Sequence, residues 1–168
     1  QSAGLLLGRK DLIQAAWVHS APHHGYARNM KIGREEVIGM LTAVESWVKR
    51  DHDAEWKQWT ARVQFIADRV SKIPGVTATV TSESAGRSNR SPRLSIRWDS
   101  KTLGITGNEV SDLLYNSEPR IALGGGGGGN RPGAAPQPGD TGISIGASMM
   151  ANGDEKVVAD RVFQVLSA

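Results

Sequence analysis

The chain contains no cysteine in 168 residues. That excludes a disulfide scaffold, a thiolate metal site and a cysteine nucleophile. No apolar run approaches the ~18 residues that a membrane span requires, so no membrane contact is expected. No charged segment leads into an apolar one ahead of a cleavage site, and the expected compartment is cytoplasmic. Neither sign of charge dominates: 20 Lys and Arg stand against 17 Asp and Glu, a net charge of +3. The charges are interspersed except at Arg87, Arg90, Arg93 and Arg97. Such a stripe can meet a phosphate backbone, but a solvated loop and strand accounts for it more simply.

What is present suits one typical domain, or a small domain with a piece of another. The chain opens at Gln1 and runs into Leu5 to Leu7, which reads as a short buried strand closed by Gly8. A strand buried on both faces needs neighbours, so upstream sequence is expected. A short helix follows over Asp11 to Val18, with Leu12, Ala15, Ala16 and Val18 available for packing. Residues 19–33 have no period and are dense in ionisable groups, the kind of loop where function concentrates.

From Arg34 the spacing of Val37, Leu41, Val44 and Val48 predicts a helix, with Glu35 and Glu36 in its first turn and Lys49 and Arg50 in its last. Asp51-His52-Asp53 breaks or kinks it. Trp56, Trp59, Val63, Ile66 and Val70 continue a helical face to about Lys72, and Pro74-Gly75 ends it. The period then drops to two over Val76 to Thr81 and again over Arg93 to Trp98, which predicts a hairpin across a turn at 82–91. Thr106-Gly107-Asn108-Glu109 caps a helix reaching about Tyr115. Arg120 to Leu123 and Thr141 to Ala147 read as strands, and Asp154 opens a final helix. The Gly- and Pro-rich stretch at 124–140 reads as a flexible surface insertion. Its six successive glycines lack the Gly-Lys-Ser/Thr that a phosphate loop needs.

The residues hold no complete catalytic constellation. No Ser lies in Gly-x-Ser-x-Gly. His23 and His24, near His19, lack a carboxylate at helical spacing, so a metal site is not expected and a place lining a substrate pocket stays open. Arg28 and Lys31 offer anion-binding donors within the 19–33 loop.

The stretch Gln1-Ser-Ala-Gly-Leu-Leu-Leu-Gly-Arg-Lys-Asp-Leu-Ile resembles the segment just after the cofactor lysine of fold type I pyridoxal-phosphate enzymes. The branch it resembles includes the L-seryl-tRNA(Sec) selenium transferases. Tyr26-Ala27-Arg28-Asn29-Met30-Lys31 is similar to that branch's Arg-x-x-Lys loop. Ser117-Glu118-Pro119-Arg120-Ile121 and Gly153 to Arg161 are similar to its small domain. The resemblance covers most of the chain and rests on order and spacing rather than on one motif.

The resemblance implies an α/β and α+β architecture. Residues 1–33 would be the tail of the large cofactor-binding domain, 34–73 a long helical connector, and 74–168 a two-layer α+β C-terminal small domain. It implies pyridoxal 5'-phosphate chemistry, in which the ring drains electrons from an α-carbanion and a leaving group departs from the next carbon. It implies Arg28 and Arg120 as substrate-anion ligands with His23 and His24 nearby, and Gln1 beside the cofactor. The Schiff-base lysine would lie upstream of Gln1, so this chain would be the incomplete C-terminal part of a lyase or transferase, forming a homodimer or higher homo-oligomer. The selenium transferases carry an arginine three residues before the position of Arg28, where this chain has Gly25. The implied substrate is therefore a small amino acid or amino-sugar acid undergoing β-elimination as readily as tRNA-bound serine, and tRNA is not an expected partner. A second reading, of another class, is a non-catalytic binding or oligomerisation module that keeps the small-domain fold.

Overall fold

The computed structural model describes residues 3–81, 91–123 and 139–168. Its contacts divide the chain between Asp51 and His52. The helical stretch at 34–73 is two helices, interrupted where Asp51-His52-Asp53 was expected to break or kink it, with one helix in each unit.

The first unit carries α1 (Lys10–His19) and α2 (Arg34–Lys49). Asp11 in the first turn of α1 pairs with Arg9 at 2.6 Å. The Arg9 guanidinium holds the Asp11 carboxyl below its usual range, but both side chains are exposed, so the pair adds little to stability. In α2, Glu35 and Glu36 occupy the first turn and Lys49 the last, as the helix dipole favours. Neither helix buries a residue, although Leu12, Val37, Leu41 and Trp47 are all large and apolar. The predicted strand at Leu5 to Leu7 is not formed. These residues lie outside any ladder and are exposed, Leu7 at 78%. Three aliphatics without a paired neighbour have no ladder to join.

The second unit is built on a three-stranded antiparallel sheet, β1 (Thr77–Thr81), β2 (Arg93–Asp99) and β3 (Asp140–Gly146), in that order. The period-two pattern sets its register. Ala78, Ile96 and Ile143 align across the three strands, as do Val80, Leu94 and Ile145. Those rows form the core face, packed on α3 (His52–Val70) and α6 (Asp154–Leu166) through Val63, Ile66, Val70, Val158 and Val162. The other face aligns Thr79, Ser95 and Ser144 and is polar. The tip of the predicted hairpin, with Arg87 and Arg90, lies outside the described residues. Arg93 and Arg97 stand on β2, and Arg97 is hydrogen-bonded and ion-paired with Asp140 rather than presented alone.

The predicted helix from Thr106 is α5 (Gly107–Tyr115), preceded by a short α4 (Ser100–Leu103) that the sequence reading passed over. Asp99 caps α4 through the Lys101 N–H, and one turn of helix is too short to show a period. Where α5 begins, a Cβ on Gly107 would come within 2.2 Å of the Gly142 carbonyl oxygen, so only glycine lets the helix approach β3 this closely. The Gly107 N–H donates to Thr141 Oγ1 at 2.9 Å, and the buried Trp98 indole donates to the Ile105 carbonyl at 2.8 Å. Arg120 to Leu123, predicted as a strand, forms none. The chain turns around the end of α5 there, with the Ile121 N–H donating to the Leu114 carbonyl and Ile121 entering the core. Four alternating residues could satisfy that turn as well as a ladder. The Gly-rich insertion lies outside the described residues up to 138, and Asp140 already belongs to β3.

The capping box of α5 titrates. The Thr106 hydroxyl and Thr106 N–H both donate to Glu109, which holds its carboxyl below the usual range. A depressed carboxyl contributes stability above its unfolded pKa, and that contribution is lost as pH falls through the folded value. Glu109→Ala should therefore lower the melting temperature at neutral pH. The gap to wild type should close well below about pH 4, where the carboxyl is protonated in both states. Thermal melts at the two pH values check it.

Candidate functional site

The loop after α1 is ordered by its own backbone. The Ser20 N–H donates to the Trp17 carbonyl, the His23 N–H to that of Ser20, and the Ala27 N–H to that of His19 at 2.9 Å. Ser20 and Ala27 form a parallel bridge that closes the loop. Gly25 fits against His19 so tightly that a Cβ there would lie 2.3 Å from the His19 Cα. A glycine is therefore required at this position.

Inside this loop the sequence-predicted residues Arg28 and His23 are brought together. The Arg28 guanidinium is half-buried and donates from Nη1 to the Pro22 carbonyl and, at 3.4 Å, to the His23 carbonyl. The His23 ring lies edge-on to Trp17 at 5.2 Å, with Nδ1 against the Trp17 carbonyl at 3.1 Å. Both of these Arg28 bonds use Nη1, and the Nε–Nη2 edge, the side that matches two oxygens of a carboxylate or phosphate, lies outside them. His24 and Lys31 are exposed, and Tyr26 is 98% exposed at the tip. Gln1 lies outside the described residues.

Arg120 belongs to the second unit. It is exposed, with its guanidinium over the Tyr115 ring at 5.1 Å. The sequence reading did not find the groups that hold these arginines. Two backbone carbonyls and a ring contact leave no motif, and Arg161, which donates to Ser117 three residues before Arg120, is 44 residues from that partner.

Pyridoxal phosphate needs a lysine kept neutral by desolvation to act as its aldehyde partner. All seven lysines, Lys10, Lys31, Lys49, Lys57, Lys72, Lys101 and Lys156, are exposed. The residues of this chain do not fit covalent attachment of that cofactor. Among the described residues, no three His, Asp or Glu side chains gather as a metal site, and no helix is long and apolar enough to cross a membrane.

No protein-family model matches the chain. The chain is 32% identical over 120 residues to D-glucosaminate-6-phosphate ammonia lyase of Salmonella typhimurium (strain 14028s / SGSC 2262), a match spanning 71% of this chain. It is similar to an enzyme that acts on an amino-sugar acid. A second relative is 5'-C-glycyluridine monooxygenase-decarboxylase of a Streptomyces species, 32% identical over 122 residues and 73% of this chain. The solved structure of D-glucosaminate-6-phosphate ammonia-lyase superposes with a TM-score of 0.54 at 25% identity, over 95% of this chain and 38% of its own. The chain spans about 30% of the length of the curated relatives it matches.

If Nη1 of Arg28 pins the loop, Arg28→Gln should loosen it. Losing a charged donor from a half-buried site costs about 1 kcal/mol, roughly a fivefold rise in the opened population. Chymotryptic cleavage after Tyr26, normalised to the denatured chains, should quicken by that factor. An unchanged rate would contradict the staple.

Proposed function

We propose that this chain supplies substrate-binding residues to a pyridoxal-phosphate-dependent lyase that releases ammonia from an amino-sugar acid. The observation that carries the reading is the similarity to the ammonia lyase, which spans 71% of this chain in sequence and 95% in structure. Within it, the wider family is the selenium transferase-like branch of fold type I. The cofactor lysine belongs to a part of the enzyme other than these residues.

The chemistry of the substrate class supports the arginines. An amino-sugar acid phosphate carries a carboxylate at one end and a phosphate at the other. The planar carboxylate and the tetrahedral phosphate each present a pair of oxygens that a guanidinium fork holds with two parallel bonds. Arg28, pinned by Nη1, meets such a group with its rotamer already fixed, so less ordering entropy opposes binding. Arg120, exposed on the second unit, is the other candidate for one of the two anions. The polar and aromatic neighbours Trp17 and His23 fix the loop around the first.

The monooxygenase-decarboxylase relative supports a second outcome, loss of carbon dioxide from an amino-acid unit. Product analysis separates the two. The enzyme carrying this chain, given D-glucosaminate-6-phosphate, should release ammonia and no carbon dioxide. Arg28→Lys should lower kcat/KM at least tenfold, since breaking a desolvated charge pair costs on the order of 2–5 kcal/mol and lysine cannot reproduce the fork. Carbon dioxide release would favour the decarboxylase reading. Neither product, with no cofactor-dependent turnover of any amino acid offered, would favour the non-catalytic module.

A further inference from the structure

We infer that Arg161 on α6 is a positioning residue for Arg120. The inference rests on the anion-binding role given to Arg120 above. Arg120 sits at the end of an arch, Ser117 to Arg120, that leaves the C-terminus of α5. Both ends of the arch are tied down. At the far end the Ile121 N–H donates to the Leu114 carbonyl at 2.9 Å, and the Ile121 side chain is 9% exposed in the core. At the near end Arg161 Nη2 donates to Ser117 Oγ at 2.8 Å, and Ser117 Oγ lies 3.4 Å from the same Leu114 carbonyl. Arg161 is itself held, its Nη1 donating to Gln164 Oε1 at 2.8 Å.

This geometry aims the Arg120 guanidinium over the Tyr115 ring, on the last turn of α5. A cation over an aromatic face is attracted to it, but at an exposed site the attraction is worth under about 1 kcal/mol and would not by itself fix a long side chain. The backbone beneath it has to be fixed first, and Arg161 is the side chain that reaches from another helix to do so. Two directional bonds from one planar group, to Gln164 and to Ser117, hold the arch in a way a flexible ammonium cannot.

The test uses the full 168-residue chain, isotopically labelled, by nuclear magnetic resonance. In wild type the Arg120 side-chain protons should carry a ring-current displacement from Tyr115, and inorganic phosphate should move the Arg120 Nε signal saturably. Arg161→Lys should reduce the displacement by at least half and weaken the phosphate affinity at least threefold. Ser117→Ala, which removes the acceptor and leaves every charge in place, should do the same and guards against a variant that fails to fold. An Arg120 displacement unchanged in both variants would overturn the inference and leave Arg161 as a tie between α5 and α6. A displacement that falls as expected would support the inference even if phosphate left Arg120 unmoved. That last result would instead overturn the anion-binding role of Arg120.

Discussion

The second unit depends on one apolar surface: the inner face of the β1–β2–β3 sheet pressed against α3 and α6. The rows Ala78–Ile96–Ile143 and Val80–Leu94–Ile145 exist only in one register. A slip of one residue would turn them outward and bring Thr79, Ser95 and Ser144 inward. Burial of those side chains with Ile66, Val110, Leu114 and Val162 supplies the main favourable free energy. The remaining features serve that packing. Glycine at 107 lets α5 close on β3, glycine at 142 leaves room for the Ile96 carbonyl of β2, and the Trp98 and Thr141 polar groups find partners as they are covered. The buried Arg62 donates to the Met150 carbonyl and to Asn152 Oδ1, both at 2.6 Å, and so fixes the link from β3 into α6.

The first unit works differently. Its helices bury nothing, so its order rests on local hydrogen bonds and helix propensity, which alone are marginal for helices this short. The best-organised part of it is the loop that carries Arg28, where backbone bonds, a close-fitting glycine and a guanidinium act on about ten residues. The flanking helices leave apolar side chains such as Leu12, Val37 and Leu41 exposed, so little beyond the loop's own bonds holds it.

Much of the second unit was legible because its signals are local. Period-two alternation at 77–81 and 93–99 names both the strands and their core face. The Thr106–Glu109 pair names the start of α5, and the four- and three-residue steps of Val63, Ile66 and Val70 name the buried side of α3. The failures share a cause. Leu5 to Leu7 and Arg120 to Leu123 have strand-like composition, but a strand is a pairing, and composition does not say whether a partner is there. The amphipathic spacing of α2 describes a face that could be buried, not one that is. At the site, the ordered loop was legible as a concentration of ionisable groups. The carbonyls that receive Arg28 and the reach of Arg161 to Ser117 were not, because both depend on how the backbone folds back on itself.

The central claim is that the folded core of this chain is the second unit alone, a rigid platform, while the first unit is held locally. Native-state hydrogen exchange on the full chain tests it most directly. The amides of Ile66, Ile96 and Val162 should exchange only through global unfolding, and those of Ala15 and Val44 by separate opening at least a hundredfold faster, about 2.7 kcal/mol or more below the global value. If the amides of α1 and α2 instead exchanged in the slowest class, with the same denaturant dependence as the sheet, the two units would be one cooperative body and the account would be wrong.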